Sequence, residues 1–472
     1  MLVPEQPLCE PTRSAPPALP QTEARRDAFA SGLGAFAATL GSAIGLGNIW
    51  KFPYLTGSNG GAAFVVTYLL AVALVGLPVM TVEHVIGRRM RLDAVRAYGR
   101  LVPKRPAWSA IGWAGLLASV LIMAFYTDVA GWVFAYVFKS AHAFATGTPL
   151  TPDTFGALAG GTFEPLFWQI VVLCVTTAIV AAGVSKGIEK ITKTLMPVLF
   201  ILLLVCDVRA LTLPHATAGI AYLFEPDLSK LSAGVLLAAL GLAFFKLSLG
   251  MGTMTTYGSY LPDSTRIVPN AARVALADTL VSLLAGLAIF PAVFAFGGTP
   301  AGGPGLLFNT IPRVFAQMPM GGLFTTVFFL LASIATIGAM VSLMEVPTAW
   351  MVEKGHTRRT TAAVISGVGM LVLGVLATLS QGPALSELKI FGKTFFDLFD
   401  FVSSNVLLPV GGLAIACVGG WFVAKKAFLA EAHKAYSAEP WHGRVVYALI
   451  RFVAPGLILL ILLNSLGILH LR

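Results

Sequence analysis

From Ala62 to Val79 the chain is almost wholly apolar, and it contains eleven stretches of this kind. About 20 apolar residues coiled as a helix cross the hydrocarbon core of a bilayer. Lipid offers no hydrogen-bond partner, so a run of this type must satisfy its backbone internally. The stretches lie at roughly 27–57, 60–87, 109–143, 166–184, 191–211, 231–259, 268–297, 320–353, 359–380, 397–424 and 444–469. Of the 472 residues, 57% are hydrophobic and 11% charged, and the mean hydropathy is +0.82. These values predict an all-α integral membrane protein and exclude a soluble fold.

The charged residues sit between the stretches, on alternate loops. Arg25 and Arg26 precede the first. Arg88, Arg89, Arg91, Arg96, Arg100, Lys104 and Arg105 follow the second, and Lys186, Lys190 and Lys193 the fourth. Lys354, Arg358 and Arg359 follow the eighth, and Lys425 and Lys426 the tenth. The loop 144–165 has no base, and 298–319 has only Arg313. Cytoplasmic loops of membrane proteins carry an excess of Lys and Arg. The pattern therefore predicts a cytoplasmic N-terminus and, with eleven segments, an external C-terminus. It also accounts for the net charge of +10 without a nucleic-acid partner. Residues 1–25, rich in proline and without an apolar core, read as a disordered tail. Cys9, Cys174, Cys206 and Cys417 have no metal-ligand or disulfide spacing and read as packing residues.

The first segment is interrupted by Gly41-Ser42-Ala43-Ile44-Gly45-Leu46-Gly47-Asn48, followed by Lys51 and Pro53. The sixth carries a similar interruption, Ser248-Leu249-Gly250-Met251-Gly252. These are the opening helices of two five-segment halves, and an odd count per half sets the halves in opposite orientations. Broken helices at matching places in inverted halves point to a binding site at the bilayer midplane. The expected organisation is the tail, then one domain over 26–472. Its first repeat spans about 26–211, its second about 231–424, and one extra segment lies at about 444–469.

Gly41–Tyr54 (GSAIGLGNIWKFPY), NGGAAF at 59–64 and GLPVMTVEHVIGR at 76–88 resemble the neurotransmitter:sodium symporter family. FFKLSLGMG (244–252), SYLP (259–262), SLMEVP (342–347) and FDFVSSNVLLPVGG (399–412) resemble its later segments in order. The resemblance covers about 26–424, and the segment count is similar to that of shorter bacterial members. It implies an inverted five-plus-five repeat and secondary transport by alternating access. By resemblance, an amino-acid carboxylate lies at the backbone of Leu46 and Gly47 and the hydroxyl of Tyr126. Ser42, Ala43, Ile122, Phe245, Lys246, Ser248, Met251, Ala339 and Leu343 then surround the rest of the substrate. A mostly apolar lining favours a small hydrophobic amino acid. Amine carriers of the family have Asp where this chain has Gly45, which argues against monoamines.

The ion positions depart from the family pattern. The first-ion equivalent comprises Ala43, Asn48, Lys246 and Asp278, where sodium-coupled members have Thr or Ser at 246 and often Asn at 278. A mid-membrane lysine requires a partner. Asp278 is the expected one, with the ammonium acting as a tethered cation in place of Na⁺. The second-ion equivalent comprises Gly41, Ile44, Ala335, Gly338 and Ala339, without the hydroxyl pair of sodium-coupled members. Na⁺ or H⁺ remains the expected coupling ion, and there is no other cofactor. Asp278 beside Lys246 makes chloride at Ser282 unnecessary. The resemblance implies an outer gate of Lys51, Asp400, Tyr126 and Phe245, and an inner gate of Arg26, Phe29, Ser259, Tyr260 and Glu353. Glu83 is expected to bond the broken sixth helix.

The sequence thus predicts an amino-acid transporter in a bacterial inner membrane. Its partners are a small amino acid and the bilayer. Sodium symport is the implied coupling, and proton-coupled or ion-independent exchange is the alternative that the departures favour. An amino-acid sensor without transport is the reading from another class. No catalytic cluster with workable spacing appears, so an enzyme is not expected.

Overall fold

A computed structural model of the chain describes residues 27–101, 106–148, 150–298, 303–436 and 440–469. The sequence-predicted tail and Arg26 lie outside the described residues. Those described form helices and no β-strand. Among the described residues nine helices are long and apolar enough to cross a membrane, among them Ala62–Met90, Ser109–Thr146, Ile267–Ala295 and Gly321–Gly355. A tenth crossing is the pair Gly32–Ala43 and Gly47–Ser58, bent by 50°. Ala233–Lys246 and Thr253–Tyr260 are each too short to cross alone. Eleven is reached only by joining these two as one broken segment, the sixth in chain order.

Local chemistry sets the helix starts. Ser31 accepts the Gly34 N–H at 3.0 Å, and Ser232 accepts the Val235 N–H at 3.2 Å. These are N-caps that satisfy donors left free by the first turn. The first helix stops at Ile44, whose extended backbone turns the chain out of register. The sixth stops after Lys246, where Ser248 and Gly250 both have positive φ, at 53° and 77°. A Cβ at Gly250 would lie 2.8 Å from the Leu408 carbonyl oxygen, so only glycine lets the tenth segment approach the break.

The eighth segment packs along the third, and Thr253–Tyr260 packs against the second. Leu70, Ile201, Val208, Val372 and Phe452 are exposed, which suits a surface solvated by lipid. The two breaks meet in the centre of this assembly. They place free backbone groups where no lipid reaches.

Candidate functional site

At the first break the Leu46 N–H donates to the Tyr126 hydroxyl at 3.0 Å. The Gly45 N–H donates to Asn48 Oδ1 at 3.1 Å. At the second break the Ser248 hydroxyl donates to the Ser42 carbonyl at 2.9 Å, which ties the two breaks together. Ser42 in turn donates to Ser342 Oγ at 2.8 Å, bringing in the eighth segment. Between these groups lies a cavity of about 20 Å³, lined by the segments that carry Ser42, Ile122, Tyr126, Phe245, Lys246, Met251, Ala339 and Leu343. Ala43, Gly47 and Ser248 also line it, as does Gly45, which sequence reasoning left out. Leu46 of the expected set is absent from the lining and contributes its backbone N–H instead. The volume is little more than that of one water. An amino acid therefore enters only as the helices part.

Lys246 is buried beside this cavity, with its side chain and that of Asp278 both fully shielded. Its Nζ lies 3.0 Å from Asp278 Oδ2 and donates to the Tyr68 hydroxyl at 2.8 Å and to Ser282 Oγ. Tyr68 donates to Asp278 Oδ2 at 3.1 Å. Asn48 Nδ2 reaches Asp278 Oδ1 at 2.6 Å and Ser282 Oγ at 3.1 Å. The Lys246 stem packs on Gly47, and the ammonium lies 5.1 Å from the Phe52 ring centroid. Three of the four residues of the first-ion equivalent, Asn48, Lys246 and Asp278, thus gather here, and the fourth, Ala43, lines the adjoining cavity. Tyr68 is the member that sequence reasoning missed. Its only sequence signal was a polar tip inside an apolar run.

At the second-ion equivalent the eighth helix lies against the first. A Cβ on Gly338 would stand 2.4 Å from the Gly41 carbonyl oxygen. Gly41 and Gly338 therefore meet backbone to backbone, and Ala339 Cβ lies 3.1 Å from where a Cβ on Gly45 would stand. A serine at 338 must push the two helices apart. G338S is expected to cost about 1–3 kcal/mol as overpacking, seen as a lower Tm in detergent; an unchanged Tm would mean the helices separate freely.

Glu83 takes three donors from the broken sixth segment. Oε1 accepts the Gly250 N–H at 2.9 Å, and Oε2 accepts the Thr255 N–H at 3.2 Å and its hydroxyl at 3.0 Å.

The outer charge pair is not formed. Lys51 Nζ sits 4.1 Å from the Phe245 ring centroid, and Asp400 Oδ1 accepts the Ser404 hydroxyl at 2.8 Å. No ion pair joins Lys51 to Asp400 among the described residues. A compact ammonium is drawn to a ring face as readily as to a distant carboxylate. On the inner side the Phe29 N–H donates to the Tyr260 carbonyl at 3.1 Å, and the Phe29 ring meets Tyr257 and Tyr260 edge-on. Ser259 donates to its own helix, to the Thr256 carbonyl at 2.5 Å. Glu353 accepts from Arg96 and from the Asp93 N–H; its expected partner Arg26 lies outside the described residues. Tyr260 donates to Glu345 at 2.7 Å, and Arg359 binds Glu345 at 2.5 Å and Asp27 at 3.1 Å. This Asp27–Arg359–Glu345–Tyr260 chain was not foreseen. The signal available was Glu345, a charge within an apolar run.

The profile of the Sodium:neurotransmitter symporter family matches residues 26–148 and 161–470. A sodium-dependent transporter of Bacillus subtilis (strain 168), YhdH, is 40% identical over 445 residues, covering 93% of this chain and 98% of that protein. A sodium-dependent transporter of Haemophilus influenzae is 34% identical over 455 residues, covering 94% and 98%. The crystal structure of MhsT in complex with L-phenylalanine superposes with a TM-score of 0.85 at 42% identity, over 93% of this chain and 100% of that one. The inverted five-plus-five helix repeat with broken first and sixth helices is therefore the fold of this integral membrane protein, and its role is secondary transport rather than catalysis. The chain belongs to the sodium:neurotransmitter symporter family.

Proposed function

We propose that this protein carries small apolar amino acids across a bacterial inner membrane by alternating access, with the Lys246 ammonium in place of the first coupling cation. The observation that carries this reading is the buried Lys246–Asp278 pair, 3.0 Å apart, beside a cavity walled by Ile122, Met251, Ala339 and Leu343. The broken backbone at Leu46 and Gly47, with the Leu46 N–H resting on the Tyr126 hydroxyl while the cavity is closed, and the Tyr126 phenol itself suit a carboxylate. The apolar wall suits an aliphatic or aromatic side chain. The capture of L-phenylalanine by the neighbour MhsT supports the amino-acid class. A Cβ at Gly45 would stand 2.8 Å from the Tyr126 hydroxyl, so an added acidic side chain for amine recognition has no room.

A fixed ammonium is a cation that never leaves, so it cannot carry a gradient in the manner of Na⁺. Gly338 and Ala339 bring no hydroxyl oxygens to the second position, where a hard cation needs oxygen ligands. Both points favour proton-coupled or sodium-independent exchange over sodium symport. The basic loops support a cytoplasmic N-terminus and an external C-terminus. The two repeats, at about 26–211 and 231–424, would rock about the shared site.

The test is counterflow of labelled leucine, alanine and phenylalanine in proteoliposomes, with and without Na⁺. Exchange without Na⁺ is expected for the native protein. K246T, which restores the hydroxyl of sodium-coupled members, is expected to acquire a sodium requirement. A strict sodium requirement in the native protein overturns the tethered-cation reading. Binding without any exchange would establish a sensor in place of a transporter.

A further inference from the structure

The third segment carries Tyr126 toward the cavity. On its far side Ala124, Thr127, Asp128 and Gly131 share one helical face, by their spacing of three and four residues. That face meets the fourth and ninth segments, Phe163–Ala181 and Arg359–Leu379. Gly131 receives the backbone of Gln169, whose N would lie 3.0 Å from a Cβ there. The Gln169 side chain runs back along the third segment, and its Nε2 donates to Thr127 Oγ1 at 3.0 Å. The same amide lies 2.6 Å from where a Cβ on Gly374 would stand. One turn beyond Gly374, Thr378 faces Asp128 without meeting hydrogen-bond geometry. A carboxyl, an amide and a hydroxyl thus occupy one three-helix junction.

All three groups are buried, at 1% exposure for Asp128 and 0% for Gln169 and Thr378. Asp128 Oδ1 and Oδ2, Gln169 Oε1 and Thr378 Oγ1 have no hydrogen-bond partner among the described residues. Of these four oxygens only that of the threonine hydroxyl carries a hydrogen. A buried oxygen without a donor costs free energy, and an ionised carboxyl within a membrane costs more. One added proton on the carboxyl supplies the missing donor and removes the charge.

No basic group pairs with Asp128 among the described residues. Lys139, further along the third segment, pairs with Glu164 of the fourth at 2.8 Å. Glu345 and Glu353 of the eighth are held by Arg359 and Arg96. Asp397 and Asp400 of the tenth bond Thr394 and Ser404. Trp132, one turn along, turns its ring to Phe155, Phe308 and Phe396.

We propose that Asp128 is a proton-binding site of this transporter, loaded when the three-helix junction is closed and exchanged as it opens. It lies two residues from Tyr126 on the same rigid helix, so proton loading and the substrate cavity move together. This inference rests on the transport reading only for the word exchange; the site itself is independent of it.

Two measurements test it. The first is sodium-free counterflow at equal pH on both sides of the membrane, over a range of pH. The native rate is expected to vary with pH, whereas D128N, which keeps a neutral donor at the junction, is expected to show a flat profile. In T378V the hydroxyl that faces the carboxyl is gone, so the midpoint is expected to move. A pH-independent native rate, or a D128N profile like the native one, overturns the proposal. Where D128N fails to fold, an unmoved T378V midpoint does so. The second measurement is the infrared carbonyl band of protonated carboxyls in detergent, which needs no transport. A component that is lost in D128N, or shifted in T378V, supports the site even if exchange fails. Exchange with no such component removes the site and leaves the transport reading intact.

Discussion

In K246M the purified protein loses about 3–5 kcal/mol of stability, because Asp278 is left buried without its cation. Asp278 accepts from Lys246, Asn48 and Tyr68. Two neutral donors do not balance a full charge that is shielded from solvent. The expected readout is a large fall in Tm and a shift of the protein toward aggregates on gel filtration. K246M/D278N, in which neither charge remains, is expected to recover most of the loss. That recovery separates the pair from simple loss of the lysine stem, which packs on Gly47. If the single and double variants melt alike, the pair is not what holds the two breaks together. The double variant should still lack exchange, since the cation beside the cavity is gone.

The second large effect is expected at Glu83. In E83A the N–H groups of Gly250 and Thr255 lose their acceptor in a region lipid and water do not reach, at about 1–3 kcal/mol each. The sixth segment has no regular helix over Leu247–Gly252. It therefore has no internal partner to offer these donors. Substrate binding is expected to vanish, since Ser248 and Met251 of this break line the cavity. E83Q is expected to fail nearly as badly. All three groups on Glu83 are donors, and a carboxamide turns its own N–H₂ toward one of them. Native-like binding by E83Q would show that a single oxygen suffices to hold the break.

The fold was legible in the sequence because lipid leaves so few solutions. Apolar runs of membrane length must be helices. Glycines inside two of the runs mark where helix gives way. Family motifs then placed Tyr126, Phe245 and Met251 on one cavity, and the lining of that cavity includes them. Lys246 and Asp278 stood out for the same reason, as charges in a medium that tolerates them only in pairs.

Other features depend on side-chain reach, which spacing does not encode. Lys51 rests on Phe245 and not on Asp400, a choice between two nearby partners made by local geometry. Tyr68 joins the Lys246 cluster from the second segment, and Glu345 recruits Arg359 from the ninth. Asp128 has no partner within its own helix that would mark it out. Its significance appears only when the third, fourth and ninth segments close around it. The sequence by itself determined the helices, their breaks and the kind of protein, because backbone hydrogen bonds in lipid are obligatory. Only the tertiary structure decided which polar groups meet, because a buried charge takes its partner from whichever helix happens to face it.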